Sequence, residues 1–588
     1  MTLFVEKISK NLVFYTFLFI AVFGMQACSS MATKSDKKEQ KLSRISEEIN
    51  YSPVRGISPR YSKDAQLIYL LLLAEISAQR GALPVSVSAY LKASQLTTDP
   101  KIAERATRVA SFARDYKSAL KAAERWAVLQ PRNLDAHHSL VILYLRNKLL
   151  DKAVQEVDIV LKLTDKSKIQ GFGHLIALLS NESDKGMVLS LMNKVVTKYN
   201  NNANANFAYA RLALQFRKYT IARQQVERAL ELKPDFDAAK SLLARVQMIQ
   251  GETDKALANM KALVEKNRDS VLHRASYARL LAIAKRYDKA LVQFKMVLDK
   301  NPDNADIVYA IALLTLEQRK LKTSEKYFLK LLSMRKRTLE AYFYLGTIAE
   351  KYKKNKKAIE WYKKIRHGQN RVNAIIRIAQ LYAKQGNIKA AREYLHSLHG
   401  RDSGLSVRLY VVEIDILSKA KKYDAAMGVA NKALDNFPDN IDLLYARSLL
   451  AEKSDNLDRS EADLRKILQK EPDNVHALNA LGYTLADKTQ RFSEAYGYIK
   501  RAVELAPDEP AILDSMGWVL YRMGKMSESV RFLRKALKIL QDDEIAAHLG
   551  EVLWVLGQKK EANRILSKAL KLVPDSVHVK EVLKRFKK

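Results

Sequence analysis

Cysteine is almost absent from this chain, since Cys28 is the single one among 588 residues. A disulfide needs two thiols, so the chain can form none within itself. Proline is scarce, with twelve residues, and acidic residues are outnumbered, because 64 Asp and Glu face 101 Lys and Arg. The formal net charge of +37 therefore favours anionic partners.

A long apolar run is also missing from the start of the chain. Residues 12–24 form an apolar run of thirteen, whereas a membrane-spanning helix needs about 20 residues. The run follows Lys7 and Lys10 and is followed by Cys28, which is the order of a secretory signal. A lone cysteine directly after such a core resembles a bacterial lipoprotein signal. The resemblance implies acylation of Cys28 and removal of residues 1–27; the alternative is a free thiol buried in an N-terminal anchor helix.

The same resemblance implies a location. Ser29 stands where an aspartate, in such lipoproteins, favours retention at the inner membrane. We therefore expect a lipid-anchored protein of the outer membrane that faces the periplasm, with residues 28–62 as a lipidated polar tether. Several acyl chains would hold such a protein where one would not.

Positive charge is concentrated in residues 319–371, where seventeen Lys or Arg and four Glu give +13 over 53 residues. For an exported protein, nucleic acid is not an expected partner. The expected counterparts are anionic envelope polymers, such as lipopolysaccharide phosphates and peptidoglycan carboxylates, or an acidic protein face. A solvated surface without a specific partner is the alternative.

Catalytic and metal-binding motifs are missing too. The chain has no glycine-rich phosphate loop, no H-E-x-x-H helix and no G-x-S-x-G elbow. His396 and His399, with Asp402 nearby, have no third ligand at a persuasive spacing. We predict no catalytic residue, no metal site and no cofactor.

What the chain does have is a small residue that returns about every 34 positions. One gap is two periods long, with Met187 at its midpoint. A period near 34 is typical of paired helices stacked into a solenoid. The series consists of Ser86, Ala119, Ala153, Ala222, Ala256, Ala290, Ser324, Ala358, Ala391, Ala426, Ser460, Ala495, Ser529 and Ala562.

Twelve residues after the small position, seven of the twelve prolines recur, which marks turns between units. The segments 478–487 (LNALGYTLAD), 513–525 (LDSMGWVLYRMGK) and 549–562 (LGEVLWVLGQKKEA) resemble the first helix of tetratricopeptide repeats. The fold prediction is an all-α superhelical solenoid of about 14–15 such helix-turn-helix repeats over residues 63–576. Residues 577–588 are predicted to form a C-terminal capping helix. The asparagines of 200–206 predict a loop.

A solenoid of this kind presents a wall of successive first helices that suits a peptide or a partner protein. Tyrosine, tryptophan and nearby polar groups are typical of interface hot spots. For Trp518, packing in the seam between repeats is the alternative. The predicted partner-binding residues are Asn479, Tyr483, Asp514, Trp518, Tyr521, Glu551 and Trp554.

Residues 68–120 resemble the opening of long tetratricopeptide lipoproteins of gammaproteobacteria. One kind in that group is an adaptor that brings peptidoglycan hydrolases to a carboxyl-terminal processing protease. The resemblance implies a non-catalytic periplasmic scaffold with those partners. An assembly factor for type IV pili or exported polysaccharide and an enzyme with an unrecognised site are the alternatives.

Overall fold

The computed structural model describes residues 62–164, 168–400 and 403–586, in which it has 31 α-helices and no strand. The all-α array of tetratricopeptide-type hairpins is thereby confirmed. None of the helices in these ranges has the length and apolar character that a membrane span requires. Residues 1–27, most of the tether and Cys28 lie outside the described residues.

The chain divides into two compact units, residues 1–334 and 335–588. The described part of the first unit is a run of eight helical hairpins. Its helices are α1 Lys63–Gln79, α2 Leu83–Leu96, α3 Pro100–Phe112, α4 Tyr116–Leu129, α5 Leu134–Arg146, α6 Leu150–Leu163, α7 Lys168–Leu179, α8 Lys185–Lys198, α9 Ala203–Gln215, α10 Tyr219–Leu232, α11 Asp237–Ile249, α12 Thr253–Lys266, α13 Val271–Ile283, α14 Tyr287–Lys300, α15 Ala305–Glu317 and α16 Leu321–Ser333.

The described part of the second unit has seven hairpins and one further helix. Its helices are α17 Thr338–Lys351, α18 Asn355–Lys363, α19 Arg371–Lys384, α20 Ile388–His396, α21 Ser403–Lys419, α22 Tyr423–Asn436, α23 Ile441–Lys453, α24 Leu457–Lys470, α25 Val475–Lys488, α26 Phe492–Leu505, α27 Pro510–Arg522, α28 Met526–Ile539, α29 Asp543–Val555, α30 Lys559–Leu572 and α31 Val577–Phe586.

The fourth residue of every second helix is fully or almost fully buried, and in fourteen hairpins it is the small residue of the 34-residue series. The exception is α8. Met187 was placed in the series by its position midway along the long gap, but the fourth residue is Val188, which is fully buried while Met187 is half-buried. The register of this hairpin is therefore one residue later than the sequence period predicts.

The small residues allow the two helices of a hairpin to approach closely. At Gly517, an added Cβ would lie 2.5 Å from Cγ of the buried Leu533 on the second helix. The Ser529 hydroxyl donates a hydrogen bond to the Gly517 carbonyl over 2.7 Å, and Ser324 does the same to the Ala312 carbonyl over 2.8 Å. Serine therefore replaces alanine here without leaving its buried hydroxyl unpaired.

The turns between hairpins combine proline with an asparagine cap. The seven phased prolines all lie between a second helix and the next first helix. After four of them, an asparagine side chain accepts a hydrogen bond from the third backbone N–H of the helix that follows, at Asn133, Asn304, Asn440 and Asn474. Such caps satisfy amide groups that have no partner within the helix.

The loop predicted at the asparagine-rich run is confirmed for residues 200–202 and wrong for residues 203–206. The run contains the start of α9, which begins at Ala203 because Asn202 caps it by accepting from the backbone N–H groups of Asn204 and Ala205. Asn206 is buried in the first turn, and its amide donates to the Asn202 carbonyl over 3.0 Å. Asparagine side chains that bond to nearby backbone favour a helix start as well as a turn.

Candidate protein-binding wall

The first helices of the last three hairpins, α25, α27 and α29, lie side by side within the second unit. Each contacts the next first helix, and α31 packs against α29 after them. We call the surface formed by α25, α27 and α29 the C-terminal wall. All seven predicted partner-binding residues belong to these three helices. The repeat places equivalent positions of successive helices next to each other.

The middle of the C-terminal wall is built around a histidine. His548 Nδ1 lies 3.0 Å from both carboxylate oxygens of Asp514, which is one repeat of 34 residues away. The indole of Trp518 stacks on the imidazole, with ring centres 4.3 Å apart and planes 27° apart. Burial opposes protonation, yet Asp514, Glu544 and Glu551 outweigh it and raise the pKa of His548.

A second cross-repeat pair joins the wall to α31. Arg585 donates from both terminal nitrogens to the Glu551 carboxylate, over 2.9 and 2.6 Å, again 34 residues apart. The Tyr521 hydroxyl donates to the same carboxylate over 3.4 Å. Phe586 stacks on Trp554 with ring centres 5.1 Å apart. The last helix therefore engages Glu551 and one side of Trp554.

Asn479 and Tyr483 on α25 are half-buried. The Asn479 Oδ1 atom is shielded from solvent and has no hydrogen-bond partner. Burial, helped by the carboxylates of Glu544, Asp487 and Asp514, raises the pKa of Tyr483. Its hydroxyl is therefore a hydrogen-bond donor across the physiological pH range, and Asn479 adds an acceptor beside it.

The predicted residues thus divide into two sets. Asp514, Trp518 and Glu551 are buried, with 6%, 7% and 5% of their surfaces exposed, and bind neighbours within the wall. Asn479, Tyr483, Tyr521 and Trp554 keep partial exposure. Trp518 also donates from its indole Nε1 to Asp487 over 3.2 Å, so its contacts lie in the seam between hairpins. Any direct contact by a partner would fall mainly on the half-exposed set.

Sequence reasoning missed His548, Arg585 and three further carboxylates of this region, Glu452, Asp487 and Glu544. Burial raises the pKa of Glu452 and of Glu544, so both carboxyls lie in partly desolvated positions. The signal for His548 and Arg585 was present in the repeat. Adding 34 to 514 gives 548, and adding 34 to 551 gives 585, so each acid has a base at the equivalent position one repeat later.

The histidines considered as metal ligands have other contacts. His396 Nε2 lies 2.9 Å from Oε2 of Glu413, which is fully buried and also accepts from Arg392 over 2.7 Å. His399 packs on the Tyr410 ring, with centres 4.4 Å apart. Asp402 lies outside the described residues. Within the described ranges, no group of three or more His, Cys, Asp or Glu is arranged to hold a metal ion.

Comparison with known families identifies the repeat. A family model described as Tetratricopeptide repeat matches five overlapping or adjacent segments. They are residues 207–270, 242–305, 309–371, 376–441 and 445–510.

A relative of known sequence agrees with the family model. The chain is 36% identical over 500 residues to a TPR repeat-containing protein of Pseudomonas aeruginosa, an alignment that covers 83% of this chain and 82% of that protein. Among solved structures, yeast Tom70 is 18% identical and aligns over 77% of this chain and 94% of its own, with a TM-score of 0.34. A thermophilic TPR protein of Thermus thermophilus is 20% identical over 30% of this chain and 95% of its own, with a TM-score of 0.28.

Proposed function

Because the chain belongs to the tetratricopeptide-repeat family, we propose that it is a non-catalytic scaffold that holds protein segments on the C-terminal wall. Repeats of this family support protein–protein interaction in general. The observation that supports this wall as the binding surface is the set of half-exposed polar and aromatic groups at Asn479, Tyr483 and Tyr521. They combine ring surface with hydrogen-bonding groups, as interface hot spots do.

The unpaired Asn479 Oδ1 strengthens this proposal. A shielded acceptor without a partner costs free energy, which a bound backbone or side-chain N–H would recover. The buried set of Asp514, His548 and Trp518 would then hold the wall rigid beneath the contacts. A rigid surface loses less conformational entropy when a partner binds.

The proposed setting is the periplasmic face of the outer membrane, to which acylated Cys28 would anchor the chain. The proposed partners are a carboxyl-terminal processing protease and the peptidoglycan hydrolases that it degrades. Support comes from the order of the N-terminal residues and from the likeness of residues 68–120 to the lipoprotein adaptors. The scaffold would raise the local concentration of protease and substrate without performing chemistry itself.

The test is affinity capture of the full chain from detergent-solubilised envelopes, read by mass spectrometry. The wall variant combines Asn479→Ala with Tyr521→Phe, because these changes remove hydrogen-bonding groups and keep the aromatic ring. A matched control, Asn436→Ala with Tyr498→Phe, alters the same residue types on the second helices α22 and α26. We expect the wild type and the control to capture a protease and cell-wall hydrolases, and the wall variant to lose at least about tenfold.

Two results would count against the proposal. Equal capture by the wall variant and the control would remove the C-terminal wall from partner binding. A protein that carries Cys28→Ser and stays in the membrane fraction as fully as the wild type would contradict the anchor, whatever the capture experiment shows.

A further inference from the structure

The surface around α18 has a concentration of one charge sign. Between residues 351 and 366, eight basic side chains are exposed and the single exposed acid is Glu360. We call these eight side chains the basic face. They are Lys351, Lys353, Lys354, Lys356, Lys357, Lys363, Lys364 and Arg366.

On two other second helices of this unit, a lysine forms an ion pair with an aspartate in the turn before its own hairpin. Lys466 on α24 pairs with Asp439 at 3.2 Å, and Lys535 on α28 pairs with Asp508 at 3.0 Å. Within the part of the chain that the structure describes, Lys356, Lys363 and Lys364 have no such carboxylate partner. Like charges held together repel one another and lower the stability of the folded state. An anionic ligand would remove that cost.

Aromatic rings lie among these lysines. Tyr342 and Trp361 stack with ring centres 5.8 Å apart, and both are half-buried. The Lys364 ammonium lies 4.3 Å from the centre of the Trp361 ring and 5.4 Å from that of Tyr342. Lys354 lies 5.4 Å from the centre of the Tyr352 ring. Tyrosine and tryptophan are enriched at membrane–water interfaces, where long lysine side chains also reach the polar headgroups.

The type of cation distinguishes between possible ligands. Seven of the eight side chains are lysine, a compact charge on a flexible stem, and one is arginine. A site shaped for a particular carboxylate or phosphate typically uses the rigid arginine fork. Exposed lysines beside aromatic rings suit a fluid surface of many headgroups. We propose that the basic face binds the anionic headgroups of a phospholipid membrane surface, beyond the protein-binding role of the C-terminal wall.

Trp361 offers a local probe of this contact in the full-length protein. The full chain would be reconstituted in vesicles of phosphatidylcholine, with or without about one third phosphatidylglycerol, and with brominated lipid as a fluorescence quencher. The difference between the wild type and Trp361→Phe isolates the Trp361 signal. We expect Trp361 to be quenched with phosphatidylglycerol and not without it, and quenching to fall as salt rises from about 0.05 to about 0.5 M.

Two variants separate the basic face from total charge. The first changes Lys354, Lys356, Lys363 and Lys364 to Gln, and we expect it to reduce Trp361 quenching at least about threefold. The second changes four lysines that have carboxylate partners to Gln, and they are Lys466, Lys470, Lys535 and Lys580. We expect this variant to show the same Trp361 quenching as the wild type. Circular dichroism verifies that both variants are folded. If the quadruple variant of the basic face is not folded, the single change Lys364→Gln replaces it in the same measurement.

Several outcomes would overturn the proposal. Equal quenching of Trp361 with and without phosphatidylglycerol would show that charge does not drive the contact. Equal loss in both lysine variants would point to net charge alone. Soluble polyglutamate that changes the Trp361 signal in solution, when anionic vesicles fail to quench it, would instead identify an acidic protein as the ligand.

Discussion

Asp514 and His548 show how one residue pair connects two hairpins. Both side chains are buried, and each belongs to a different first helix. The residues that face His548 are Asp514, Glu544 and Glu551 as acids and Trp518 and Tyr483 as aromatic rings. The raised pKa of His548 means that its protonated form is more stable in the folded chain than in the unfolded one. This contribution is complete below the unfolded pKa of about 6.5 and is lost as pH rises through the higher folded pKa.

We therefore expect the stabilising effect of His548 to depend on pH. At pH 6, His548→Gln should lower the local free energy of unfolding by about 2 kcal/mol, because a hydrogen bond between charged groups is lost. At pH 9 the difference in local free energy of unfolding between the wild type and His548→Gln should be smaller. Hydrogen exchange of peptides from α27 and α29, corrected for intrinsic exchange rates, measures this free energy.

The pH effect must be measured as a difference between the wild type and His548→Gln. Glu544 also has a raised pKa, which makes the stability of both proteins fall as pH rises. If the difference in free energy of unfolding is the same at pH 6 and pH 9, the charge on His548 contributes nothing to stability.

At the scale of elements, the two helices of each hairpin meet in a tightly packed seam within the hairpin, distinct from the seam between hairpins. The fourth residue of the second helix and a small residue on the first helix face each other, and the eighth residue of the second helix fills the remaining volume. At Gly346, Gly482, Gly517 and Gly550, an added Cβ would lie 2.5–2.6 Å from that eighth residue. Cβ contacts this short force the neighbour to move, and a close-packed seam resists such movement.

Gly517→Ala is expected to reverse the usual effect of this substitution. Alanine normally stabilises a helix by about 1 kcal/mol relative to glycine. Here overpacking against Leu533 should lower stability by about 1–2 kcal/mol net. Gly497 on α26 is a matched control, since no atom lies within 4 Å of its added Cβ. Gly497→Ala should raise the midpoint of urea unfolding and Gly517→Ala should lower it; a rise in both would contradict the seam.

At the scale of the molecule, the described helices of each unit form their extensive contacts with elements at most two places away in the chain. Stability in such arrays is close to a sum of hairpin and neighbour contributions. A local defect should therefore remain local. We expect Gly517→Ala to speed hydrogen exchange in α25–α30 by about tenfold and to leave α17–α20 within about twofold of the wild type. Uniform acceleration through the second unit would indicate long-range cooperativity instead.

The repeat was predictable from the sequence because a buried small residue is needed once in each hairpin, and so its period survives variation elsewhere. The position of Val188 as the buried fourth residue of α8 was not predictable, because α8 has no small residue there that could fix the register. The wall was only partly predictable. Helical periodicity placed Tyr483 and Tyr521 on one surface, and the 34-residue spacing contained the pairing of Asp514 and Glu551 with their bases. It could not show that these two acids are buried, because their burial depends on how neighbouring repeats pack.

The pairs one repeat apart also limit how this gene can change. Tandem arrays gain and lose copies through unequal crossing-over. Loss of residues 525–558, one complete copy, would bring Val582 to the position opposite Asp514 and Arg585 to the position opposite Gly517. Asp514 would then be desolvated without a base, and Arg585 would have no acid. We therefore expect loss of a copy here to destabilise the C-terminal wall more than loss of a copy that takes part in no such pair.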